Sequence, residues 1–111
     1  HQLRDAVAIW PFDPLPARGK VAVEIYTTIA ARAAGVAKGR SKIRDAIGLD
    51  LALQALGSKP HKPLNRYTDH ATDALITAAW LRKSAENRQF WAPKALNIEI
   101  AATEGWTFGV I

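Results

Sequence analysis

Three stretches of the chain predict strands, one as a continuous apolar run and two by the alternation of apolar and polar positions. Ala6 to Phe12 is a short apolar run that leads into a proline-rich segment, so we expect a strand followed by a loop. Val21 to Thr27 alternates and is rich in β-branched residues, which predicts the strongest strand. Gly105 to Ile111 alternates in the same way and predicts a closing strand.

Three longer helices are predicted between these strands. The first runs from about Thr28 to Gly35. The second begins at Ser41, a favourable N-cap, and reaches Leu56 before Gly57 ends it. Its predicted apolar face comprises Ile43, Ala46, Ile47 and Leu51.

The third helix begins at Asp69 and has the most regular pattern of the chain. One face carries apolar residues at the i, i+3, i+4, i+7 and i+8 spacing, namely Ala71, Ala74, Leu75, Ala78 and Ala79. Ile76 and Trp80 fall on the opposite side, which predicts a helix buried between a sheet and another layer. A short helix is expected from Asn97 to Thr103. The alternation of strands and helices indicates an α/β layer fold.

Composition narrows the class of protein. The chain has 111 residues, of which 49% are hydrophobic, so one globular domain is expected. It contains no cysteine, which excludes disulfides, thiolate zinc sites and a cysteine nucleophile. No apolar run approaches the roughly 20 residues of a membrane helix, and no signal peptide opens the chain, so we expect a cytoplasmic protein without a membrane partner. Because it also lacks methionine and begins at His1, we expect a piece of a longer protein.

Three carboxylates are unusual for a simple scaffold. Glu24 lies in the middle of a predicted strand, where burial is costly unless the carboxylate is paired or liganded; the alternative is an edge strand with Glu24 facing water. Asp69 and Asp73 lie one helical turn apart and repel each other. Asp69 is alternatively an N-cap. A divalent cation between the two aspartates would turn repulsion into binding, and oxygen ligands of this kind suit Mg²⁺ or Mn²⁺.

The net charge of +5 favours phosphate-rich partners. A basic run with a spacing of two residues is the candidate contact with a nucleic-acid backbone, and it comprises Lys38, Arg40, Lys42 and Arg44. The alternative is a solvated helix start. His61, in a loop rich in lysine and proline, is expected to be solvated. The common nucleotide-binding, hydrolase and zinc-protease motifs are absent.

Four segments together resemble a known family. They read IWPFD from Ile9, VEIYT from Val23, TDHATDALITAAWLR from Thr68 and TEGWTFGV from Thr103. In this order they are similar to the C-terminal half of the predicted nucleases of ribonuclease H-like fold, filed as domain of unknown function 429. The stretch DHATDAL also resembles the last acidic helix of Holliday-junction resolvases.

The resemblance implies an α/β, ribonuclease H-like three-layer fold, of which the chain is the C-terminal portion. It implies that Glu24 is the strand acid and that Asp69 and Asp73 are the helix acids of a two-metal Mg²⁺ or Mn²⁺ site that hydrolyses phosphodiesters. The first-strand aspartate of that site is expected upstream of His1. Two alternatives stay open: a nucleic-acid-binding or structural module that has lost its metals, and a phosphotransferase of the actin-like branch.

Overall fold

A computed structural model describes residues 7–36 and 43–111 of the chain. Two compact units are present: His1–Tyr26 with Asn87–Ile111 form the first, and Thr27–Glu86 form the second, which we call the helical unit. Within the described residues no helix is long and apolar enough to cross a bilayer. The elements are the strands β1 (Val7–Ile9) and β2 (Lys20–Ala22) and the helices α1 (Thr27–Ala33), α2 (Ala46–Ala55), α3 (Asp69–Ser84), α4 (Arg88–Trp91) and α5 (Ile98–Thr103).

The first unit contains a small parallel sheet. β1 pairs with β2 in a register that places Ala8 opposite Val21. Beyond the sheet, Glu24 and Thr107 form an isolated parallel bridge, in which the Phe108 N–H donates to the Glu24 carbonyl at 2.8 Å. Among the described residues, the backbone of the closing segment, residues 105–111, contacts the rest of the unit at this bridge and through the Gly105 N–H, which donates to the Ile100 carbonyl at 3.0 Å.

Aromatic side chains form the core of the first unit. Phe108 is fully buried, and its ring centroid lies 4.5 Å from that of Trp91 and 5.6 Å from that of Phe90. Trp10, also buried, makes edge-to-face contacts with Phe108 at 5.8 Å and with Trp91 at 5.6 Å. Such rings bury 150–250 Å² each, so this cluster is the main hydrophobic contribution to the unit.

The helical unit is built around α3, against which α1 and α2 pack. The buried face of α3 follows the spacing i, i+4, i+7, i+8 and i+12 and comprises Thr72, Ile76, Ala79, Trp80 and Ser84. Ile76 and Trp80 are thus at the centre of the contact, while Ala74 and Ala78 are exposed. The predicted burial of the Ile76 and Trp80 side is thus confirmed, whereas the predicted alanine face is buried only at Ala79, because the larger side chains bury more apolar area when they face the neighbouring helices.

α2 starts later than its sequence predicts. Asp45 is its N-cap, and the Asp45 carboxylate accepts a hydrogen bond from the Gly48 N–H at 2.7 Å. Gly57, at φ +74°, ends the helix as predicted. The buried residues are Leu49, Ala52, Leu53 and Leu56, whereas Ile47 and Leu51 from the predicted apolar face are 75% and 63% exposed.

The predicted three-layer ribonuclease H-like fold is wrong. Helices contain 43% of the described residues, and the strands among these residues form a single two-stranded parallel sheet. The predicted strand from Val21 to Thr27 is reduced to the end of β2 and the Glu24 bridge. The predicted closing strand is a turn, since Gly105 and Gly109 adopt φ values of +76° and +98°, which interrupt an extended backbone.

Candidate functional site

The N-terminus of α3 positions the two aspartates of the predicted site. Thr68 is the N-cap, and its hydroxyl oxygen accepts a hydrogen bond from the Ala71 N–H at 3.2 Å. The Thr72 hydroxyl donates to the carbonyl oxygens of Thr68 and Asp69 at 3.1 and 3.2 Å, which fastens the first turn. Asp69 is therefore the first helical residue and not the cap, and its negative charge favours the helix dipole there.

The carboxylates of Asp69 and Asp73 lie beside the buried face of α3, and both residues are half-buried. The guanidinium Nη1 of Arg44 lies 2.9 Å from Asp69 Oδ1. The side chains of Arg44 and Asp69 are 64% and 41% exposed, so this ion pair contributes at most about 1 kcal/mol. The N-terminus of α3 thus already attracts a positively charged group.

A divalent cation at this place has to displace Arg44 from Asp69. Mg²⁺ binds proteins through one or two carboxylates and completes its shell with water and phosphate oxygens, which suits two aspartates one turn apart. Within residues 7–36 and 43–111, no group of three or more His, Cys, Asp or Glu side chains comes together as a metal site. Asp69 and Asp73 do not lie in such a group, and their role as metal ligands stays a prediction.

Glu24 belongs to the first unit and follows β2 rather than lying inside it. Its carbonyl oxygen holds the bridge to the closing segment, and its side chain is exposed. The convergence of Glu24 with Asp73 around two metals stays a prediction.

The basic run is only partly described. Lys38, Arg40 and Lys42 lie outside the described residues. Arg44 immediately precedes the N-cap of α2 and makes the ion pair with Asp69. A guanidinium carries five N–H donors, so this pair leaves donors of Arg44 for a phosphate.

A second polar cluster, which sequence reasoning missed, joins the loop after α2 to that helix. The His61 side chain is only 5% exposed, so the expectation that it is solvated is wrong. His61 Nδ1 lies 2.5 Å from Asp50 Oδ1, and His61 Nε2 lies 2.9 Å from the hydroxyl oxygen of Tyr67. No local motif signals this cluster, because Asp50 is eleven residues from His61 and lies on a helix.

The chemistry of this cluster follows from its donors and acceptors. An ionised carboxylate only accepts, so Nδ1 carries the proton of a neutral His61, and Nε2 accepts from the Tyr67 hydroxyl. The Tyr67 oxygen in turn accepts from the Leu64 N–H at 3.3 Å. The backbone N–H of His61, and then its ring, donate to the Asp50 carboxylate and hold its pKa below the ordinary value of 3.8. Asp50, His61 and Tyr67 each take part in a hydrogen bond, so the cluster holds the loop after α2 against that helix.

Comparisons of the chain with protein-family models, with curated proteins and with solved structures find no match. The resemblance to predicted nucleases therefore stays a prediction that rests on the four segments quoted above.

Proposed function

We propose that this protein binds nucleic acid through its helical unit. The observation that carries the proposal is the distribution of charge between the two units. The helical unit contains ten Lys and Arg residues and five Asp and Glu residues, whereas the first unit contains five of each. The whole net charge of +5 is therefore in the helical unit.

A concentrated positive charge favours a polyanion. Lysine and arginine that neutralise backbone phosphates release condensed counterions, which makes binding strong at low salt and independent of sequence. Besides the run from Lys38 to Arg44, the loop that joins α2 to α3 supplies Lys59, Lys62 and Arg66, all exposed. The protein would meet its nucleic acid in the cytoplasm.

Metal-dependent phosphodiester hydrolysis is the second candidate function. The Asp69 and Asp73 pair supports it, because two carboxylates one turn apart in a basic unit offer a cation a place beside bound phosphates. The resemblance also assigns Glu24 and an upstream aspartate as ligands, and this assignment stays a prediction. The bound metal would supply an activated water and stabilise the leaving oxygen.

The salt dependence of binding tests the first candidate. We expect the affinity of the full chain for a short DNA duplex to fall steeply between 50 and 200 mM salt. Replacement of Arg40 and Lys42 by alanine should reduce the slope of log K against log salt by about 2, since each lost phosphate contact removes about 0.9. The control is the Arg88→Ala and Lys94→Ala double variant, which removes the same charge from the neutral unit. Equal slopes for wild type and the Arg40/Lys42 variant, or an equal loss in the control, would contradict the proposal.

Thermal melts with and without millimolar Mn²⁺ test the second candidate. A cation bound only by the folded state raises stability by mass action, so Mn²⁺ should raise the Tm of the wild type. Asp73→Asn should abolish this rise. Glu86→Gln, an exposed change of the same charge in the same unit, should retain it. A rise of equal size in all three proteins removes Asp73 from a metal site and leaves the binding proposal untouched.

A further inference from the structure

A cleft of about 280 Å³ opens on the surface of the first unit. Three aromatic residues line part of it, namely Trp10, Phe12 and Trp106. Two carboxylate residues, Glu24 and Glu104, line it as well. Neither the proposed nucleic-acid contacts nor the aspartates of α3 belong to this cleft, because they lie in the helical unit.

The aromatic residues of the cleft are held in place by backbone contacts. The Trp106 Nε1–H donates to the Val110 carbonyl at 2.9 Å. Phe12 lies so close over Gly105 that a Cβ at this glycine would stand 2.9 Å from Phe12 Cζ. Asp13 closes the turn that carries Phe12, since its carboxylate accepts from the Ile9 N–H at 2.9 Å and its own N–H donates to the Ile9 carbonyl at 2.8 Å.

Among the described residues, no side chain or backbone group makes a hydrogen bond or ion pair with the Glu24 or Glu104 carboxylate. Both residues are exposed, yet their backbones are ordered: Glu24 by the bridge to Thr107, and Glu104 by the hydrogen bond from its N–H to the Ile100 carbonyl at 2.9 Å. Glu24 and Glu104 thus bring two acidic residues into the same lining as Trp10, Phe12 and Trp106.

We propose that this cleft binds an alkylammonium cation. An ammonium group attracts the negative faces of aromatic rings within about 6 Å, and its alkyl substituents gain from contact with apolar surface. Carboxylates add direct attraction for the same charge. Mg²⁺ or Ca²⁺ fits this lining less well, because these ions require six or more oxygen ligands and gain nothing from ring faces that replace water.

Titration of the full chain with tetramethylammonium chloride tests the proposal. NMR shifts of the Trp106 indole N–H and the Gly105 amide report on the cleft, and sodium chloride keeps the ionic strength constant. We expect saturable shifts with a millimolar dissociation constant. tert-Butanol, a neutral molecule of similar size, should leave these signals unshifted. Glu104→Gln should weaken binding about two- to fivefold, as is typical of one exposed charge or ring contact.

Matched variants separate the cleft from general charge effects. Glu99→Gln, an exposed change of the same charge on α5, should retain wild-type affinity. Trp106→Leu should abolish binding and Trp106→Phe should retain part of it, provided that each spectrum shows a folded protein. Absence of saturable shifts, an equal response to tert-butanol, or unchanged affinity in Glu104→Gln would overturn the proposal. The proposal would also be overturned if Mn²⁺ broadened the Glu24 and Glu104 signals while no ammonium ion bound, because this result would identify a metal site.

Discussion

One carboxylate oxygen of Asp50 accepts both the backbone N–H of His61, at 3.0 Å, and the His61 ring nitrogen Nδ1, at 2.5 Å. A single side chain on α2 thus fixes the position and the ring orientation of a residue in the following loop. The opposite edge of the imidazole contacts Tyr67, whose ring packs edge-to-face against it with centroids 5.6 Å apart. Tyr67 directly precedes Thr68, the N-cap of α3, so this cluster lies next to the start of that helix.

The contact of Asp50 with His61 predicts that the protein loses part of its stability at acid pH. Because folding lowers the Asp50 pKa below 3.8, the unfolded chain binds the proton more readily than the folded chain. The stabilisation is complete well above pH 3.8 and is lost as the pH falls through the lower, folded pKa. Asp50→Asn should therefore flatten the dependence of unfolding free energy on pH below about 5. Urea unfolding of both proteins from pH 3 to 7 measures this, and curves that stay parallel would exclude Asp50 as the titrating group.

The contact between Gly105 and Phe12 predicts a large effect for a small substitution. Gly105→Ala places a side chain at φ +76° and 2.9 Å from Phe12 Cζ. We expect a loss of about 1–2 kcal/mol from the left-handed backbone and about 1–3 kcal/mol from overpacking. Gly19→Ala, at φ +107° with nothing within 4 Å, should show the backbone cost alone. In a Phe12→Ala background the loss caused by Gly105→Ala should fall to that of Gly19→Ala. Urea unfolding of the three single variants and of the Phe12→Ala, Gly105→Ala double variant measures these losses.

The exposed and the buried face of α2 predict a small and a large loss of stability on substitution. Ile47 and Leu51 are largely exposed, so Ile47→Gln and Leu51→Gln should change the unfolding free energy by less than about 0.5 kcal/mol. Leu53 is buried, and Leu53→Ala should cost about 2–5 kcal/mol. Urea unfolding measures all three. A large loss of unfolding free energy in Ile47→Gln would show instead that the predicted apolar face of α2 is the buried one.

The elements that the sequence predicts well are those with local chemical signals. Thr68 and Asp69 mark the start of α3, Asn97 caps α5 by accepting from the Ile100 N–H at 2.8 Å, and Gly57 ends α2. Each signal acts within a few residues of the backbone group that it satisfies, and so the pattern suffices. The predicted start of α3 at Asp69, the short helix from Asn97 and the end of α2 at Gly57 accordingly agree with the structure.

The parts that the sequence does not predict depend on contacts between distant residues. α2 is apolar on nearly every side, so periodicity cannot select Leu49 and Leu53 over Ile47 and Leu51 as its buried face. Alternation from Gly105 to Ile111 is compatible with a strand, but a strand also needs a partner along its length, and within residues 7–36 and 43–111 the pairing is limited to Thr107. The same holds for the candidate sites: Asp69 and Asp73 follow from helical spacing, whereas the pairing of Arg44 with Asp69 and the place of Glu104 in the cleft appear only in the tertiary structure.

Phe108 lies at the centre of the aromatic core of the first unit. Its ring contacts those of Trp10, Phe90 and Trp91, and it is fully buried. Phe108→Ala should cost about 3–5 kcal/mol, of which each lost aromatic pair accounts for about 0.5–1.5 kcal/mol beyond its buried area.

The control for Phe108→Ala is Ile98→Ala on α5, where the side chain is 90% exposed and the expected change is below about 0.5 kcal/mol. Tryptophan fluorescence during urea unfolding measures both variants, and it reports on this core because Trp10 and Trp91 contact Phe108 directly. A cost below about 1 kcal/mol for Phe108→Ala would mean that the aromatic cluster does not hold the unit together. Loss of the emission of buried tryptophan before urea is added would instead show that the unit needs Phe108 to fold.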